Sequence, residues 1–197
     1  MAPKTYIFYG SSGSGKGTQA SLLKEYIERE VGENETLYIE TGARFREFMK
    51  KDNYTGKLTK DIINSGELLP EFLPIWMWSD FLIDNFKTGK ENLILDGLAR
   101  RVDEAPVLDK ALKFYNRRKP EVIILNVSHE WGVERLLKRG RHDDHEEHIK
   151  KRIEWYDTNV VPTIEFFRNN PDYTVHEING EQTIEEVHEE IIKKING

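Results

Sequence analysis

Three stretches of this chain are apolar at nearly every position: Tyr6-Ile7-Phe8-Tyr9, Leu93-Ile94-Leu95 and Val122-Ile123-Ile124-Leu125. A strand with one wet face alternates polar and apolar residues, whereas an uninterrupted apolar run has both faces buried. Thr36-Leu37-Tyr38-Ile39 and the segment from Tyr173 to Ile178 read as two further strands. Between the strands lie segments with helical spacing. One runs through Ala20, Leu22, Leu23, Tyr26 and Ile27 towards Gly32, and others cover 75–86, 102–116 and 130–138. A long helical pattern from Asp143 to Phe167 is expected to bend near Pro162, and Thr183 is placed to cap a last helix ending at Ile195. Residues 40–74 show no strong strand and read as short helices broken at Gly56 and Gly66. Trp76, Met77 and Trp78 fit core packing better than a base-stacking surface. Buried strands alternating with helices predict an α/β fold: a five-stranded parallel sheet with helices on both faces, and a ligand site beyond the carboxyl ends of its strands.

The 197 residues suit one domain with a proper core, with no repeat, linker or low-complexity tract. A net charge of −6 argues against nonspecific nucleic-acid binding. The absence of cysteine excludes disulfides and thiolate zinc sites and is compatible with a reducing cytoplasm. No apolar run approaches the ~20 residues of a membrane span. Met1-Ala2-Pro3-Lys4 leads at once into a strand, so no signal peptide is expected.

Between the first strand and first helix runs Gly10-Ser11-Ser12-Gly13-Ser14-Gly15-Lys16-Gly17-Thr18-Gln19. Its glycines let the backbone curl with amide groups pointing inward, Lys16 follows at once, and the next helix aims its positive end at the same point. This is a phosphate cradle. It departs from the strict P-loop pattern, since Gly17 stands where Ser or Thr would reach Mg²⁺ and Thr18 comes one residue later. Asp96 ends an apolar strand, where a carboxylate serves Mg²⁺ or its waters beside the phosphates. Arg44, Arg46, Arg100, Arg101, Arg135, Arg139, Arg141 and Arg152 are candidates for gripping more phosphate, because guanidinium forks both position and neutralise it. His142, His145 and His148 suggest a metal site only superficially; the acids among them suit a helix start, and open helical spacing rarely closes a coordination shell.

These residues resemble the adenylate kinases and related nucleoside monophosphate kinases, in which Gly-Thr-Gln also follows the loop lysine. Thr41-Gly42-Ala43-Arg44-Phe45-Arg46 resembles their monophosphate segment, and Gly66-Glu67-Leu68-Leu69-Pro70 the turn that closes it. Leu95-Asp96-Gly97-Leu98-Ala99-Arg100 is similar to Leu-Asp-Gly-Phe-Pro-Arg, and Arg135 to Arg152 to the lid and its flanks. The resemblance implies a P-loop nucleoside triphosphate hydrolase-type fold in a single domain. Within it, 40–74 would be a helical monophosphate-binding insertion and 139–152 a short lid and flank. It implies ATP and Mg²⁺, nucleotide partners, no nucleic acid or membrane, and a cytoplasmic monomer. Gly13, Ser14, Gly15, Lys16, Gly17 and Thr18 would hold the ATP phosphates. Arg135 and the loop carrying Glu181 and Gln182 would meet the ATP adenine. Thr41, Gly42, Leu68, Gly97 and Glu104 would surround the monophosphate, with Arg46 and Arg100 on its phosphate. Arg139, Arg141 and Arg152 would converge on the transferring group, and Asp96 would orient magnesium-bound water.

Three departures stand out. Ala43 replaces the usual Asp, and Leu98-Ala99 replaces Phe-Pro, which removes a fixed turn before Arg100. Only Gly140 separates Arg139 from Arg141, so a smaller cover and poorer exclusion of water are expected. Glu104 stands where the family carries the Gln that reads AMP. An ionised Glu only accepts hydrogen bonds, which suits guanine's two donors better than adenine N1. Thr41, in contrast, matches the AMP enzymes. The resemblance therefore implies a kinase that moves the γ-phosphoryl group of Mg-ATP to a nucleoside monophosphate, AMP ahead of GMP or a pyrimidine monophosphate, with Glu104 turned to solvent as the plainer alternative to a changed preference. A regulator that binds nucleotide without turnover is the other class of reading.

Overall fold

The computed structural model describes residues 3–31, 36–140 and 146–197. Its five strands are β1 (Thr5–Gly10), β2 (Thr36–Glu40), β3 (Asn92–Asp96), β4 (Glu121–Asn126) and β5 (Thr174–Asn179). They pair in parallel in the order β2-β3-β1-β4-β5. The helices among the described residues begin with α1 (Lys16–Val31), α2 (Thr41–Phe48), α3 (Tyr54–Asn64) and α4 (Phe72–Asn85). They continue with α5 (Ala105–Phe114), α6 (His129–Arg139), α7 (Glu146–Trp155), α8 (Val161–Arg168) and α9 (Ile184–Asn196).

The continuous apolar strands split their side chains between two cores. Tyr6, Phe8, Ile94, Ile123 and Leu125 pack with Ala20, Leu23 and Ile27 of α1 and Val187, Ile191 and Ile195 of α9. The alternate residues Ile7, Tyr9, Leu93, Leu95, Val122 and Ile124 pack with Trp78 and Leu82 of α4, Leu108 and Leu112 of α5, and Ile164 and Phe167 of α8. Each such buried side chain contributes about 1.5–3 kcal/mol, which explains why the interiors of β1, β3 and β4 hold only aliphatic and aromatic residues. A third, smaller core of Phe45, Phe48, Leu69, Leu73 and Met77 holds the 40–74 segment together.

The order places β3 beside β1, and the connections leaving these neighbours run in opposite directions, β1 to the β2 edge and β3 across to β4. Diverging connections open a crevice at the carboxyl ends of the two strands. The register sets Phe8 against Asp96, so the glycine loop rises directly beside the acid.

Several expectations are corrected. Gly56 does not break a helix but lies in the first turn of α3, its N–H bonded to the Oδ1 of the N-cap Asn53 at 2.7 Å. The true interruption falls at residues 49–53, where the Asn53 cap starts a new helix; Gly66, at φ +80°, does follow the end of α3. Trp78 and Met77 are core residues, but Trp76 is 45% exposed and lies against the Phe48 ring. The long helical pattern is interrupted by a π-helical turn, Tyr156–Val160, just before Pro162. The Val161 N–H reaches back to the Tyr156 carbonyl. Thr183 caps α9 through a capping box with Glu186. Residues 141–145, with Arg141, His142, His145 and the centre of the expected lid, lie outside the described residues.

Candidate active site

The loop after β1 is fastened from several sides. The Ser14 N–H donates to the Ser11 carbonyl at 3.2 Å, and α1 starts at Lys16, so the unpaired amides of its first turn open onto the cradle. Gly13 has φ +86°, and a Cβ there would stand 2.6 Å from the carbonyl oxygen of Gly132 in α6. Loop and helix therefore touch backbone to backbone. Lys16 Nζ donates to the carbonyls of Gly10 at 2.7 Å and Ser11 at 2.9 Å. Burial lowers its pKa to about 8, with nearby Asp96 opposing the shift.

Asp96 is buried at the floor of the crevice. Burial raises its pKa, while Lys16 and Arg100 pull it down. The Tyr38 hydroxyl donates to its Oδ2 at 3.4 Å. Among the described residues no three His, Cys, Asp or Glu side chains gather to hold a metal. A single buried carboxylate beside a phosphate cradle nevertheless fits Mg²⁺, which takes one or two carboxylates and otherwise water and substrate phosphate.

The facing wall comes from distant segments. Arg46 Nη2 pairs with Glu40 at 2.8 Å. The Thr41 hydroxyl is buried with no hydrogen-bond partner among the described residues. Arg100 Nε donates to the Gly97 carbonyl at 2.9 Å, and its guanidinium lies 5.9 Å from the centre of the Trp155 ring. Trp155 Nε1 donates to the Gly66 carbonyl at 2.9 Å and so joins α7 to the 40–74 segment. The turn that a proline would have fixed is made instead by Gly97 at φ +71° and Ala99 at φ +48°. The buried Tyr9 hydroxyl holds it by donating to the Ala99 carbonyl at 3.1 Å. A left-handed alanine costs about 1–2 kcal/mol, which this hydrogen bond helps to offset. Glu104 is only 2% exposed and so does not turn to solvent. Its Oε2 accepts the Arg100 N–H at 3.2 Å, and burial raises its pKa to about 7.

One cavity of about 770 Å³ joins both walls. It brings together Gly13, Gly15, Lys16, Gly17, Thr18, Arg135 and Arg139 with Thr41, Gly42, Arg46, Leu68, Gly97, Arg100 and Glu104; Asp96 and Arg152 also line it. Ser14 is buried beneath the loop and does not line the cavity. Glu181 and Gln182 do not reach it either: the Glu181 carboxylate accepts the Ser128 N–H, and Gln182 Nε2 donates to the Asn179 carbonyl at 2.8 Å. Arg44 lies over the Phe81 ring and Arg101 faces Glu71, both away from the cavity wall. Sequence reasoning missed Tyr38, Glu40 and Trp155 as wall residues and Gly132 as the loop's seat. Nothing local distinguishes them before the chain is folded.

A glycine loop at the switch point of a parallel sheet is the mark of the P-loop nucleotide-binding proteins, and an opposing arginine-lined wall suits those that take two phosphorylated ligands. Comparison with known proteins narrows this class. The family model for adenylate kinase matches residues 8–171, and the chain belongs to the adenylate kinase family of phosphotransferases. An adenylate kinase of Prochlorococcus marinus (strain MIT 9515) is 36% identical over 166 residues, covering 84% of this chain and 85% of that protein. Adenylate kinase 1 of Nostoc sp. is 34% identical over 187 residues, 94% of this chain and 95% of its own. An adenylate kinase of Leptospira biflexa serovar Patoc is 34% identical over 196 residues, 98% of this chain and all of its own.

Proposed function

We propose that this chain transfers the γ-phosphoryl group of Mg-ATP to AMP, giving two ADP. The observation that carries the reading is the single cavity with a phosphate cradle on one wall and the Arg46–Arg100 wall on the other, which suits two nucleotides meeting phosphate to phosphate. Phosphoryl transfer is largely positioning and charge neutralisation. In this reading the amides from Gly13 to Thr18 and the Lys16 ammonium grip the β- and γ-phosphates, and the phosphate charge keeps Lys16 protonated. Arg46 and Arg100 align the acceptor phosphate, with Gly97 and Gly42 admitting it closely. Thr41 and Glu104 face the base, and Leu68 packs against it. Arg139 and Arg152, joined by Arg141, neutralise the charge on the moving group, and Arg135 lies by the donor adenine, which the loop of Glu181 and Gln182, whose side chains stay out of the cavity, would meet through its backbone alone. Mg²⁺, when bound, would neutralise the donor phosphates, with Asp96 holding its water. No strong general base is needed.

The same reading takes the chain as a single-domain cytoplasmic monomer. The lack of cysteine is compatible with a reducing compartment. Among the described residues no helix is long and apolar enough to cross a membrane. A transfer assay with Mg-ATP against AMP, GMP, CMP, UMP and dTMP tests the activity. AMP is expected to be the preferred acceptor, with two ADP formed per turnover; failure of all five would overturn the reading.

A further inference from the structure

We propose that Glu104 reads the acceptor base as a neutral carboxylic acid, so that AMP binding takes up a proton. This deepens the function proposed above and rests on it. Glu104 lines the cavity yet is almost wholly buried, and no cation lies within ion-pair distance of it among the described residues. The groups facing it are engaged elsewhere. Arg100 turns its Nε to the Gly97 carbonyl, and Arg101 turns its own to Glu71 at the start of α4, 3.4 Å away. Tyr9, from β1, gives its hydroxyl hydrogen to Ala99. Glu71 adds a repelling charge. Only the Arg100 amide donates to Glu104, at Oε2, and Oε1 has no donor among the described residues.

A buried acid without a partnered cation favours its uncharged form. The pKa of about 7, raised first by burial, agrees with that placement. The Thr41 hydroxyl, also buried and unpartnered, is a second polar group on the same wall awaiting a ligand. Adenine presents an acceptor, N1, beside a donor, the 6-amino group. A neutral carboxyl offers the complement in one plane: an O–H at Oε1 for N1, and a carbonyl-like Oε2 that accepts from the amino group as well as from Arg100. An ionised carboxylate would leave N1 facing an anion with no hydrogen between them. The proton comes from solvent, and no covalent bond changes.

The sign of the pH dependence follows. Free Glu104 is protonated below about pH 7. Above that, AMP must recruit the proton, so its KM rises by up to about tenfold per pH unit. Calorimetric titration with AMP alone at pH 8, in two buffers of different ionisation heat, is expected to show uptake of close to one proton by the wild type. Glu104→Gln, which presents the same donor and acceptor at every pH, is expected to take up close to one proton fewer than the wild type, to lose the Glu104-linked rise in the KM for AMP between pH 7 and 9, and to bind AMP more tightly than the wild type at pH 9. Lys16 titrates in the same window in both proteins, so the ratio between them is the readout. A wild type that phosphorylates AMP without proton uptake overturns the assignment to Glu104 while leaving the activity intact. A wild type that phosphorylates no AMP at any pH overturns both readings. The proton count on the wild type needs no variant to fold.

Discussion

On the donor wall the ligand-facing groups are mostly backbone amides of a loop wedged between β1, α1 and α6, whereas on the acceptor wall they are side chains gathered from Thr41, Arg46, Arg100, Glu104 and Trp155. The first wall is anchored in the two large cores, and the second rests partly on the small Phe45–Met77 core. A backbone grip recognises phosphate whatever base is attached. A side-chain grip recognises one base and changes with one substitution. Under the proposed function, the difference teaches that chemistry and choice of acceptor are kept in separate construction.

That contrast is open to attack in four places. Replacing Lys16 with Met should lower turnover by roughly 10³-fold or more, because the main fixed charge on the transferring phosphate is lost. A melting curve close to wild type would show that the fold survived, and full turnover in a folded variant would break the donor half of the comparison. Gly13→Ala should follow: a methyl group 2.6 Å from the Gly132 carbonyl oxygen must push the loop off α6. A displacement approaching 1 Å costs about 10²-fold in rate. The loss should appear with every acceptor alike. Arg46→Ala should raise the KM for AMP by about 10–100-fold, the worth of a charge-assisted contact, while the KM for ATP stays near its original value. Equal changes in both constants would mean that the two walls are not separate. The smallest effect is expected from Trp155→Phe, which keeps the ring beneath Arg100 but loses the bond to the Gly66 carbonyl. It should cost roughly 1 kcal/mol of stability in a denaturant titration, with only a few-fold rise in the KM for AMP.

The same contrast governs what could be read before the chain was folded. The donor wall is contiguous in sequence, and each part of it needs a particular residue type, so Gly13, Gly15 and Lys16 announce themselves. The sheet was equally legible, because residues such as Ile7, Ile94 and Ile123 bury against helices with no polar residue to blur the pattern. The acceptor wall is assembled across the chain. Trp155 and Gly66 meet over 89 positions, and neither alone signals the other. Glu104 could be placed by resemblance, but its protonation depends on where the Arg100 and Arg101 guanidinium groups turn, which only the packed structure determines. Gly56 misled for a local reason: the cap supplied by Asn53 outweighs a glycine's low helix propensity. Trp76 misled because Phe48 covers only one side of it.

The π turn at Tyr156–Val160 gives the helical arm between the walls an odd count. A π turn amounts to one residue more than an α-helix of the same rise would hold, and each residue advances an α-helix by about 100°. The spare residue therefore sets the angular phase of everything before it, Arg152 and Trp155 included, relative to α8, which is locked into the core by Ile164 and Phe167. Deleting one residue between Tyr156 and Val160 would let the helix run on smoothly past Pro162. It would also turn α7 like a key, carrying the arginine away from the cavity and the indole away from Gly66. In this protein a helical irregularity, more than any residue in it, decides which way the arm faces.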